Sequence, residues 1–143
     1  MIYNLTKKSI IARHALQPLG LYARGRGMIG RSFSNFDAMV FENCDAIHTF
    51  FMSSSIDVIF IDVENKVLKA LPELKPWRLL VHCPNARTVI ELPPGAIQKS
   101  MTEPGDFVDL MAEATPEALD EIKKSGGKFM TEAGAIVPLE ETK

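Results

Sequence analysis

Apolar residues in this chain come in short runs separated by polar turns, and few stretches keep the 3.6-residue spacing of an amphipathic helix. The clearest unit is Ile56-Asp57-Val58-Ile59-Phe60-Ile61-Asp62, then Val63-Glu64-Asn65-Lys66, then Val67-Leu68-Lys69-Ala70-Leu71. Strand, tight polar turn and strand in that order predict a β-hairpin in the middle of the domain. Ile2 to Leu5 predicts a short strand that Ser9 to Ala12 continues or pairs with. Ala38 to Phe41 and Ile47 to Met52 predict two more strands, with Glu42-Asn43-Cys44-Asp45 as the turn between them. Pro72 and Pro76 bracket a connection, and Thr88 to Leu92 is a further strand stopped by Pro93-Pro94-Gly95. Behind the turn Glu103-Pro104-Gly105-Asp106, residues Phe107 to Met111 alternate as a half-buried strand does.

Helical signals are fewer. Leu16, Leu19 and Met28 are spaced for a helix, but Pro18, Gly20, Gly25 and Gly27 leave room only for a short or irregular one. A second short helix is expected at Ala96 to Met101. Thr115-Pro116-Glu117 supplies an N-cap, a proline at the first helical position and an acid in the first turn, so Pro116 to Lys124 is expected to be helical up to Gly126-Gly127. Beyond Lys128 a loosely held tail is expected, in which Ala135-Ile136-Val137 adds to a sheet edge. The sum is an α+β fold, mainly antiparallel β, as a compact sheet or partly open barrel with one or two short helices and a C-terminal helix. Residues 1–112 form the main domain, and residues 113–143 the C-terminal helix and tail.

At 143 residues, 46% of them hydrophobic and 24% charged, the chain can build one core and is too short for two ordinary domains. Sixteen bases against eighteen acids give a net charge of -2, which supplies no field to draw in a phosphate backbone or an anionic membrane. Neither nucleic acid nor membrane is therefore expected as a partner, and no apolar run approaches the ~18 residues that a span needs. No secretory signal is visible in Met1 to Lys8. Two cysteines suit a reducing compartment at least as well as an oxidising one, and a cytoplasmic location is the default expectation. The charge is uneven: Met1 to Asn35 holds six bases and no acid, whereas Glu103 to Lys143 holds ten acids and four bases. Either the two ends neutralise one another across the surface, or Arg24, Arg26 and Arg31 build an anion site.

Several motifs carry chemistry in principle. Gly25-Arg26-Gly27-Met28-Ile29-Gly30 matches the dinucleotide fingerprint G-x-G-x-x-G, but no βαβ unit surrounds it, so a glycine-rich bend is the expected reading. Cys44, His48, His82 and Cys83 are ligand types that zinc selects. Adjacent side chains on an extended segment point apart, which works against His82 and Cys83 sharing one ion, so neither metal nor cofactor is expected. A cysteine paired with His48 as nucleophile needs an orienting group that sequence cannot supply. Asp57 and Glu91 lie within apolar strands and must be exposed at an edge, hydrogen-bonded, or paired with a base such as Arg24, Arg78 or Arg87. Trp77 beside Arg78 is a core plug or a stacking surface.

Taken in order, Arg24-x-x-Gly27-Met28-Ile29-Gly30-Arg31, Ile47-His48-Thr49-Phe50-Phe51-Met52, Ile56 to Asp62, Pro76-Trp77-Arg78, Ala86 to Gly95 and Gly105-Asp106 resemble the bacterial and archaeal family catalogued as domain of unknown function 192. The resemblance runs from about Ala15 to Leu110. It implies a compact, mostly β domain whose shared polar features are the arginine-flanked Gly-Met segment, the His48 segment and the Glu91 strand, and it implies no established reaction. Ser53-Ser54-Ser55 departs from the family pattern, which implies a looser turn there, and the chain from Thr115 onward lies outside it.

Three functions follow as expectations. The first is a small cytoplasmic binding or accessory module, taken to be bacterial. In it Arg24, Arg31, His48, Asp57, Trp77, Arg78 and Glu91 form one cleft for a small anionic or polyhydroxylated ligand or a protein segment. The second is an assembly factor acting through the C-terminal helix, and the third a hydrolase using His48 with Glu91 or Asp57.

Overall fold

Every residue of Ile56–Ile61 is buried, including the aspartate, because this strand lies inside a sheet that is covered on both faces. A computed structural model describes residues 1–18, 21–111, 128–130 and 136–138. Its elements in chain order are β1 (Ile2–Asn4), β2 (Ser9–Ala12), β3 (Ala15–Leu16), α1 (Leu21–Arg26), β4 (Ala38–Glu42), β5 (Ala46–Ile47) and β6 (Ile56–Ile61). There follow β7 (Val67–Leu74), β8 (Val81–His82), β9 (Thr88–Leu92), α2 (Ala96–Ser100), β10 (Val108–Asp109), β11 (Lys128–Met130) and β12 (Ile136–Pro138).

The central sheet has the order β3-β4-β9-β6-β7 and is antiparallel except for the β3–β4 pair. A three-stranded antiparallel sheet, β10-β1-β2, lies beside α2. One apolar layer joins the two: Val40, Ile59, Ile61, Ile90 and Leu92 of the central sheet meet Ile2, Ile11 and Val108 of the smaller sheet and Ile97 of α2. On the opposite face Met39, Phe41, Val58, Phe60 and Val89 pack under Met28, Ile47 and Met52, which come from turns and short strands. The sheet therefore shows the near-continuous apolar strands of a doubly covered sheet. The fold is mainly antiparallel β with two short helices among the described residues, and its central sheet stays open, ending at β3 and β7.

The predicted hairpin is β6–β7. Its turn is fixed by the Asp62 carboxylate, which accepts hydrogen bonds from the Glu64 and Lys66 amides at 2.8 and 3.0 Å, while Asn65 takes the left-handed conformation at φ 61°. Two expectations need correction. β7 runs through Pro72 to Leu74, which a proline allows because β7 is an edge strand. Ile47 to Met52 is not a strand: pairing ends at Ile47, and the residues after it turn so that Thr49 is buried while Phe51 faces solvent.

Among the described residues, the amino-terminal bases meet the acidic stretch where Lys7 pairs with Glu103 and lies 3.8 Å from Asp106. Asn4, fully buried, fastens the same region by donating to Asp106 Oδ2 at 2.8 Å and Thr102 Oγ1 at 3.1 Å. β11 and β12 pair with each other, not with the edge of another sheet. The helix expected at Pro116 to Lys124 lies outside the described residues. Among the described residues no helix is long and apolar enough to cross a membrane.

Candidate functional site

Glu91 stands in β9, the middle strand of the central sheet, with Met39 of β4 opposite it on one side and Val58 of β6 on the other. Strand alternation puts its side chain on the same face as Val89, among the apolar residues that Met28 and Met52 cover. The residue is 4% exposed, and its Oε2 has no hydrogen-bond partner. Burial without a compensating donor or cation pushes the carboxyl up to about 8.

Gly27 is what keeps space in front of this group. Two successive turns follow α1, closed by Ile29 N–H to Arg26 O at 2.9 Å and Arg31 N–H to Met28 O at 3.0 Å, and Gly27 takes φ +49° within them. A β-carbon at Gly27 would sit 3.9 Å from Glu91 Oε2 and 3.5 Å from Phe41 Cζ, so the missing side chain leaves an opening above the carboxyl. The bend reading of the glycine motif holds, and the bend shapes the site, a role that spacing alone did not reveal.

The opening is a cavity of about 120 Å³. Glu91 and Phe41 line it together with Met28, Ile47 and Met52, while Arg24, Arg26, Cys44 and His48 contribute the polar remainder. Arg24 is oriented by Nη2 donating to Glu42 O at 2.7 Å, and Arg26 by Nε donating to Ile29 O at 3.1 Å. Each guanidinium has five N–H donors, so both keep donors free of these two bonds. The lining thus combines an apolar wall, one buried carboxyl and, elsewhere in it, two guanidinium groups.

Of the seven candidates, the structure brings Arg24, His48 and Glu91 to this cavity and leaves Arg31, Asp57, Trp77 and Arg78 outside its lining. Asp57 pairs with Leu92, so its side chain lies on the opposite face of the sheet from Glu91. There both oxygens are taken, Oδ1 by the Glu73 amide at 2.9 Å and Oδ2 by the Ile97 amide at 2.8 Å. Trp77 is exposed beside Phe50 and Phe51 and is not a core plug. His82 Nε2 lies 3.4 Å from Asp45 Oδ2, while Cys83 is buried and Cys44 half-buried, both as free thiols. Burial pushes the Cys83 thiol up from its ordinary value. Among the described residues no three His, Cys, Asp or Glu side chains gather as a metal site.

Comparison with known proteins agrees with the resemblance read from the sequence. The profile of the DUF192 family, described as Uncharacterized ACR, COG1430, matches residues 9–110. A UPF0127 protein of Thermococcus sibiricus (strain DSM 12597 / MM 739) is 39% identical over 87 residues, 58% of this chain and 56% of the relative. Another from Thermococcus gammatolerans (strain DSM 15229 / JCM 11827 / EJ3) is 35% identical over 114 residues, 76% of this chain and 73% of the relative. The first of these matches spans little more than half the length of the relative. Both relatives are archaeal, which removes the ground for taking the chain as bacterial. A solved protein of unknown function from Novosphingobium aromaticivorans DSM 12444 shares the fold, with a TM-score of 0.59 at 16% identity over 66% of this chain and 73% of that one. The chain belongs to the DUF192 family, whose function is not known.

Proposed function

We propose that the protein is a small binding module and that the cavity under Gly27 receives a small hydroxylated anion. A hydroxyl of that ligand would meet Glu91, and its charged end the guanidinium groups of Arg24 and Arg26. The observation that carries this reading is the unpartnered Glu91 Oε2, a buried polar atom facing space that a single β-carbon would narrow. A buried polar atom without a partner is costly, and one that borders a cavity finds its partner in what enters the cavity. With its pKa raised to about 8, Glu91 is mostly neutral at pH 7 and can both donate to and accept from a hydroxyl.

The test is a thermal-shift screen against polyols, acidic sugars, sugar phosphates and nucleotides, repeated with Glu91→Leu and Arg24→Ala. A ligand at ~100 times its dissociation constant adds ~2.7 kcal/mol, a rise of several degrees in a domain of this size. A rise confined to hydroxylated anions and lost in both variants is expected. A panel without any shift, or a shift that persists in Glu91→Leu, overturns the reading. A hydrolytic role would draw on His48 and Glu91 at the same cavity, and turnover of the compound that binds separates it from binding alone.

A further inference from the structure

Away from the Glu91 cavity, two segments meet around Thr49 and hold aromatic rings in solvent. Thr49 is fully buried and tied to the 75–78 loop by four hydrogen bonds. Its N–H donates to Arg78 O at 2.9 Å and its Oγ1 to Lys75 O at 2.8 Å, while it accepts from Trp77 N–H on its carbonyl and from Arg78 N–H on Oγ1, both at 2.9 Å. On this base Phe51 and Trp77 stand edge to face with centroids 5.2 Å apart, and Phe50 abuts Trp77 at 5.9 Å. Phe51 is 69% and Trp77 60% exposed, and the chain continues into Leu79 and Leu80, exposed by 73% and 67%.

The backbone is strained where these rings are presented. Phe51 has φ 59° and Trp77 φ 66°, a left-handed conformation that bulky side chains rarely adopt. Strain of this kind persists where the surroundings over-determine it, as the Thr49 bonds do here, and clusters at sites of recognition. Strained, exposed and rigidly held aromatic residues beside an arginine have the composition of a binding hot spot.

We propose that the Phe51–Trp77 surface docks a segment of another protein in which apolar side chains are accompanied by acidic ones. Charge identifies the occupant. Residues 46–56 and 74–82, which build the surface, contain Lys75 and Arg78 and no acid. Three acids flank the segments: Asp57 is buried with both oxygens taken by amides, Asp45 lies 3.4 Å from His82, and Glu73 is exposed, but among the described residues no carboxylate pairs with Lys75 or Arg78. A second copy docking by twofold symmetry would double these bases while the two segments supply no acid to meet them. An anionic bilayer would gain only two basic contacts against a net charge of -2.

The full chain would be used to select from a displayed library of random dodecapeptides, and the enriched peptides synthesised and measured by calorimetry. Peptides combining apolar residues with Asp or Glu are expected, and their affinity should fall by about tenfold or more in Phe51→Ala and in Arg78→Glu. In Phe51→Gly, which removes both the ring and the strain, binding should be lost while the melting temperature stays level or rises. Enrichment without acidic residues, or peptides that bind Phe51→Ala as tightly as wild type, would overturn the proposal. So would a concentration-dependent dimer in sedimentation that Phe51→Ala abolishes, or co-sedimentation with phosphatidylserine vesicles that depends on Phe51 and Arg78.

Discussion

Asp57 and Glu91 sit one residue out of register on the adjacent strands β6 and β9, and their carboxyl groups lie on opposite faces of the same sheet. Asp57 pairs with Leu92 and Val58 with Glu91, so strand alternation alone separates the two acids by the thickness of the sheet. On one face the aspartate is saturated by two amides and joins the β7 edge to the start of α2. On the other, the glutamate Oε2 has no partner and faces the cavity under Gly27. Two buried acids that look alike in sequence thus divide into a structural group and a candidate ligand contact.

The raised pKa of Glu91 sets a pH dependence. The unfolded chain releases this proton near the ordinary value of 4.5 and the folded one near about 8, so between these limits the folded state holds a proton that the unfolded state has lost. Stability therefore falls as pH rises from about 4.5 to about 8 and levels off above, with an amplitude on the order of a few kcal/mol. Glu91→Gln is expected to remove this slope, matching wild type near pH 5 and exceeding it near pH 9. Urea unfolding at both pH values, followed by the fluorescence of Trp77, the single tryptophan, measures it.

Asp57→Ala removes the acceptor for two amides, one of them the buried Ile97 N–H at the start of α2. A loss of about 2–4 kcal/mol is expected, because a buried donor is left without a partner. Asp57→Asn retains one acceptor oxygen and should lose less. Denaturant midpoints of the two variants at constant m-value give the comparison.

Gly27→Ala meets no hard steric barrier, since the new carbon would lie at ordinary contact distances from Phe41 and Glu91. The backbone at φ +49° is the obstacle, at about 1–2 kcal/mol for a residue with a β-carbon. The variant should therefore fold, melt a few degrees lower, and show weaker shifts with any compound that enters the cavity. Equal ligand shifts in Gly27→Ala and wild type would place binding elsewhere.

Thr49→Val keeps the shape of the side chain and removes the hydroxyl that joins Lys75 O to the Arg78 amide. A loss of about 1–3 kcal/mol is expected from the two backbone groups left unpaired. The 75–78 loop should loosen with it, read as a change in Trp77 emission and anisotropy before any global unfolding. Unchanged Trp77 fluorescence in a destabilised Thr49→Val would show that other contacts hold the loop.

The hairpin from Ile56 to Leu71 and the strand Thr88 to Leu92 were legible in the sequence because apolar runs and an Asp62-led turn are local signals, complete within a few residues. Family membership was legible for the same reason, carried by strings such as Ile47 to Met52 and Ala86 to Gly95. Local signals failed where a distant partner decides the conformation. Ile47 to Met52 has the composition of a strand, yet Thr49 turns inward to bond a loop some thirty residues away, and the chain turns with it. Trp77 follows a proline as many core residues do, but the same bonds hold it outside. The sequence thus placed Asp57 and Glu91 in apolar strands and left open whether each is exposed at an edge, hydrogen-bonded or paired with a base. Which face each one reaches, and whether a donor waits there, depends on strand register and on what covers the sheet, and only the tertiary structure decided that.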